Sequence, residues 1–110
     1  MRLHVGAVVA AYEFLRATPP FRGWQLPSSD EVEFVIMASR RHYGSANWSK
    51  RRIALSGRLI GHTDTLLKVL AHEMAHFYAD ARGETAEHGR LWHKAIRSIC
   101  REHGWDSKAL

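Results

Sequence analysis

The run His72-Glu73-Met74-Ala75-His76 constrains this chain more than any other five residues in it. An α-helix repeats every ~3.6 residues, so positions four apart share a face and both imidazoles can reach one ion. Glu73 lies about 100° further round, beside that ion without ligating it. A carboxylate in that place can take a proton from water held at the open side of a zinc-type metal. The composition of the chain makes an accidental match rare, about 0.04 per chain of this length.

The flanks predict a bounded, half-buried helix over residues 64–81. Thr63 and Asp64 supply N-cap chemistry, Leu67, Leu70, Met74 and Phe77 recur at helical spacing, and Gly83 offers a left-handed stop. Catalytic zinc takes three protein groups and keeps one position for water, so a further donor is needed. Asp80, four residues beyond His76, is a candidate ligand or hydrogen-bond partner. Beyond Gly83 the candidates are Glu84, Glu87, His88 and His93. Leu91, Ala95, Ile96, Ile99 and Cys100 predict a second helix over 87–103, with Gly104 as its left-handed end and Trp105 folding back. A donor near the start of that helix meets the first helix if the two pack closely, which favours His88 over His93.

Taken together, His72-Glu73-Met74-Ala75-His76 and His88-Gly89-Arg90-Leu91-Trp92 resemble the SprT-like metalloprotease domain, a zincin related to SprT and Spartan. That family's pattern is HExxH followed by His-Gly-x-x-aromatic. The resemblance makes His88 the third zinc ligand and puts Trp92 at the aromatic position. Arg52-Ile53-Ala54-Leu55-Ser56 is similar to the family's short strand ahead of the active-site helix, and Thr65-Leu66-Leu67 fits its approach. The likeness runs from about Glu31 to Gly104. It implies one Zn2+ per chain and a zinc metallopeptidase with Glu73 as general base. The expected fold is α+β, a minimal zincin-like domain over 1–110: an N-terminal helix, a small β-sheet, the HExxH helix, and a C-terminal helix carrying the third ligand. Many SprT-like proteins add a four-cysteine zinc ribbon; this chain has only Cys100 and matches a form without it.

With 110 residues and 45% hydrophobic content, one core of useful size is expected. The lone Cys100, on the apolar stripe of the last helix, excludes an internal disulfide and fits a reducing, cytoplasmic setting. Met1-Arg2 and the apolar run after Val5 have the outline of a short signal peptide, but Glu13 and Arg16 interrupt it. Val5, Val8, Val9, Tyr12 and Leu15 instead trace one face of a helix over 4–17, stopped by Pro19 and Pro20. Val32–Ser39 and Arg52–Ser56 are expected strands and Gly44–Lys50 a loop between them. The edge of such a sheet can hold an extended peptide by main-chain hydrogen bonds. Nothing is long enough to span a membrane, and a monomer is expected.

The net charge is +5, and Arg40, Arg41, Lys50, Arg51, Arg52 and Arg58 crowd one region with Tyr43 and Trp48 among them. Arg40, Arg41, Trp48, Lys50, Arg51 and Arg52 are therefore candidates to contact single-stranded or distorted DNA. The family resemblance adds weight, since some SprT-like proteases act on proteins attached to DNA. The rival from another class is a non-catalytic DNA-binding module that zinc only ties together. A fourth protein ligand such as Asp80 or Glu84 would mark it, because closed structural sites take four. Tyr43, Tyr78 and His93 are the candidates to stabilise an oxyanion.

Overall fold

The structure, a computed structural model, describes residues 2–110. Helix α1 (Val5–Arg16) is followed by two short 3-10 turns, strands β1 (Glu33–Met37), β2 (Gly44–Asn47) and β3 (Arg52–Ser56), then helices α2 (Thr63–Ala81) and α3 (Arg90–His103). A last 3-10 turn covers Ser107–Ala109. The architecture is α+β, as expected: α1 and α2 pack against a three-stranded sheet, and α3 packs on α2.

The sheet order is β1-β3-β2. β3 is central, parallel to β1 (Phe34 opposite Ile53, Ile36 opposite Leu55) and antiparallel to β2 (Gly44 opposite Leu55, Ala46 opposite Ile53). Ile53 and Leu55 are fully buried, and on the edge strand β1 the alternation leaves Val35 outward and Phe34 half-buried. The core holds Tyr12, Leu15, Phe21, Ile60, Leu70, Met74, Phe77 and Ile99, each essentially without solvent exposure. Burial of one such apolar side chain stabilises by roughly 1.5–3 kcal/mol. The Tyr12 hydroxyl reaches the Pro27 carbonyl at 2.6 Å and ties α1 to the irregular stretch before β1.

Several expectations need correction. Residues 44–47 form a strand, not part of a loop: main-chain pairing with β3 outweighs the weak strand propensity of Gly-Ser-Ala-Asn. Helix α3 starts at Arg90 instead of 87, so His88 lies in the turn ahead of it. His62 occupies the N-cap of α2 without a side-chain cap bond, and Thr63 is already helical. Val5 is largely exposed, the buried positions of α1 being Val8, Tyr12 and Leu15.

Gly83 (φ +86°) and Gly104 (φ +72°) take the left-handed conformation expected of them. The Trp105 amide donates back to the Cys100 carbonyl at 3.0 Å, which closes α3. Among the described residues no helix is long and apolar enough to cross a membrane.

Candidate metal centre

Helix α2 carries His72 and His76 one turn apart at the margin of its buried stripe, where both are half-buried. The turn before α3 brings in His88 from the other side, exposed. Ring centroids are separated by 5.2 Å (His72–His76), 5.4 Å (His72–His88) and 5.0 Å (His76–His88). One nitrogen from each ring lies within 4.8 Å of the others, close enough for one ion to be shared after small ring adjustments. Trp92, on the first turn of α3, is buried beneath all three rings and stacks on His88 at 4.0 Å.

Electrostatics prepares these groups for a cation. Burial, then the neighbouring His72 and His88, pushes His76 down to about 4. Burial also lowers His72, opposed by its hydrogen bond to Leu110 and assisted by His88. Both rings are thus neutral and offer lone pairs at neutral pH, which is what a metal requires of imidazole. The Nδ1 of His72 lies 2.7 Å from the main-chain oxygen of Leu110. That oxygen can only accept, so Nδ1 carries the proton and Nε2 is left free for an ion. Three imidazole nitrogen donors with an acid beside them suit a zinc-type cation.

Glu73 is that acid. It is only 5% exposed, has no hydrogen-bond partner among the described residues, and is pushed up to about 8 by burial and, secondarily, by Glu87. Gly44 leaves it room, since a Cβ there would stand 3.0 Å from the Glu73 Oε2. Glu73 lines two cavities. One, of about 430 Å³, is bounded by Tyr43, Lys68, Val69, His72 and Leu110. The other, of about 320 Å³, runs between strand β2 and the turn holding Thr85 and Glu87, past His76 and Asp80.

The matching family model, described as the SprT-like family, spans residues 16–108, most of the chain. The chain belongs to the SprT-like family. In fold it is similar to the crystal structure of the metallopeptidase zymogen of Pyrococcus abyssi abylysin, with a TM-score of 0.62. The match covers 84% of this chain and 78% of that one at 19% identity, a level that speaks for shared fold alone. No curated protein matches the chain in sequence.

The other candidates of this SprT-like chain separate cleanly. Asp80 lines the second cavity with its carboxyl raised by burial and then by Glu84, but it is outside the group of converging donors. Glu84 turns both carboxylate oxygens to the backbone amides of Leu91 (2.8 Å) and Trp92 (3.0 Å), away from any shared ion. His93 is exposed, edge-on to Trp92 at 5.0 Å. Tyr78 packs on Trp24 at 4.5 Å with the Arg82 guanidinium 3.8 Å over its ring, so of the two tyrosines Tyr43 is the one at the Glu73 cavity.

The basic region is partly committed to internal contacts. The Arg51 guanidinium sits 3.5 Å over the Trp48 ring and donates to the Trp48 carbonyl, and Trp48 is half-buried, edge-on to Phe77 at 5.2 Å. Arg52 pairs with Glu33 across the sheet. Arg40, Arg41 and Lys50 are exposed. Two features at the site had no counterpart in the sequence reading. Leu110 gives no local signal, and Gly44 was read as the start of a loop, so the close approach that a strand glycine often marks went unnoticed.

Proposed function

We propose that this chain is a zinc-dependent metalloendopeptidase, one catalytic domain over residues 1–110 that works as a monomer in the reducing cytoplasm. One Zn2+ would be held by His72, His76 and His88. The observation that carries this reading is the convergence of three imidazoles beside a buried Glu73 that lines two cavities and has no hydrogen-bond partner among the described residues. Bound zinc supplies Lewis acidity, polarising a carbonyl and acidifying water.

The chain's own residues do the rest. A Glu73 carboxylate oxygen accepts the proton of the attacking water and delivers it to the departing amine; burial and Glu87 lift this group to about 8, and a cation bound beside it would return it to the charged form that the role needs. The free edge of β2, beside Glu73, can pair with an extended peptide that runs from one cavity to the other. Tyr43, which lines the Glu73 cavity, would supply a hydroxyl to the developing oxyanion.

A non-catalytic zinc-tied module would want a fourth protein donor, and Glu84 is committed to backbone amides instead. Exposed Arg40, Arg41 and Lys50, with Trp48, Arg51 and Arg52 behind them, support single-stranded or distorted DNA as a partner that brings in DNA-attached protein substrates.

The test is direct. The purified protein should contain about one zinc per chain and cleave an unfolded protein substrate, and removing zinc should abolish cleavage. Glu73→Gln should keep the metal and lose at least ~100-fold in turnover. Undiminished proteolysis by that variant would take Glu73 out of the mechanism.

A further inference from the structure

We infer that Glu84 and Gly89 form a lock that positions His88: the Glu84 carboxylate caps α3 from outside the helix, in space open to it only because residue 89 has no side chain. The inference rests on the metal-site reading above for the role of His88, and on independent geometry for the lock itself.

Three observations carry it. Gly89 is the N-cap of α3, with extended backbone and no side chain to accept the amides of the first turn. Those orphan donors are normally satisfied by an N-cap Ser, Thr, Asp or Asn reaching the second or third helical residue. Here Leu91 and Trp92 are those residues, and both donate to Glu84, seven and eight positions away in the chain. An anion at this end is further favoured by the helix dipole.

The Glu84 backbone is anchored as well. Its amide donates to the Ala79 carbonyl at 3.1 Å, beside the Gly83 amide's bond to Asp80 at 3.0 Å, so it is fastened to the last turn of α2. One residue therefore clasps the helix bearing His72 and His76 to the helix bearing Trp92. The short span between these two fixed points contains His88.

The space for this is specific. A Cβ at residue 89 would lie 2.4 Å from Glu84 Oε1 and 2.6 Å from its Cδ, closer than atoms can approach. The φ of Gly89 is −87°, which any residue can adopt, so backbone freedom does not require glycine there. Room for the carboxylate does. Glu84 is thus a positioning residue: it touches neither metal nor substrate and acts through His88.

The experiment measures zinc affinity by chelator competition and thermal melting of the zinc-free protein, for wild type, Glu84→Ala, Gly89→Ala, His88→Ala and the relevant doubles. Wild-type zinc binding checks the underlying metal reading by itself. Glu84→Ala and Gly89→Ala should each weaken zinc binding roughly 10-fold. In a His88→Ala background Glu84→Ala should add little to the loss, although it still lowers the melting temperature. Once Glu84 is alanine, Gly89→Ala should become harmless in both readouts, because nothing is left for the new Cβ to meet.

Wild-type zinc affinity in Glu84→Ala, or losses for Glu84→Ala and His88→Ala that simply add, would overturn the positioning role. An undiminished effect of Gly89→Ala without Glu84 would overturn the lock. If Glu84→Ala does not fold, Gly89→Ala alone decides: wild-type affinity and melting in that variant overturn the proposal. Failure of wild type to bind zinc overturns the metal reading and with it the role of His88, while the zinc-free melts still decide the steric pairing of residues 84 and 89.

Discussion

Ending the chain after Asp106 should weaken zinc binding by about 10-fold, because it removes the Leu110 main-chain oxygen that orients His72. A neutral imidazole exists as two tautomers, and only the one protonated on Nδ1 presents Nε2 to the ion. The 2.7 Å bond to Leu110 selects that tautomer and also holds the ring's rotation. Loss of an outer hydrogen-bond partner of a metal-ligating histidine costs roughly 10–100-fold in affinity. The low end applies here because Leu110 borders an open cavity, and water can take the place of its main-chain oxygen. Tenfold corresponds to about 1.4 kcal/mol. The assay is competition with a chromophoric chelator, read beside 15N shifts of the His72 ring for the tautomer. Leu110→Ala is the control: it keeps the main-chain oxygen and should bind within roughly twofold of wild type, well short of the ~10-fold loss. A truncated chain with full affinity, or Leu110→Ala losing as much as the truncation, would refute the reasoning.

His88→Ala should weaken zinc binding by at least ~100-fold while His93→Ala changes it less than about threefold; the opposite ranking by chelator competition would put the third donor at 93. Tyr43→Phe should lower kcat by about 10-fold with little change in KM, and equal kcat in the two proteins would free Tyr43 of any oxyanion role. Replacing Arg40, Arg41 and Lys50 together by alanine should weaken retention of a single-stranded oligonucleotide at low salt and flatten its salt dependence, with an unchanged salt slope counting against the DNA reading.

How much was legible depended on whether a signal was local. Helix α2 announced itself through the period of Leu67, Leu70, Met74 and Phe77 and its glycine stop, and the two histidines followed from it. Strand β2 did not, since Gly-Ser-Ala-Asn has no β-branched or aromatic residue and owes its form to pairing with β3. The start of α3 was misplaced because Glu87 and His88 read as a polar first turn, while the residue that caps the helix stands outside it, at Glu84. Thr63 and Asp64 looked like caps by type, yet the helix begins one residue earlier than that chemistry implied, with His62 at the N-cap. Trp48 was read as a base-stacking surface, but packing against Phe77 and coverage by Arg51 occupy much of its ring. The approach of Leu110 to His72 joins residues 38 apart and has no local trace at all.

Of the four tryptophans, Trp92 is the one whose ring neighbours are the histidine trio; Trp24, Trp48 and Trp105 lie against Tyr78, Phe77 and His103. The molecule therefore contains its own optical gauge. A quenching ion such as Co2+ captured by those histidines should darken the indole emission of residue 92 selectively, so occupancy can be followed in real time without labels or substrate.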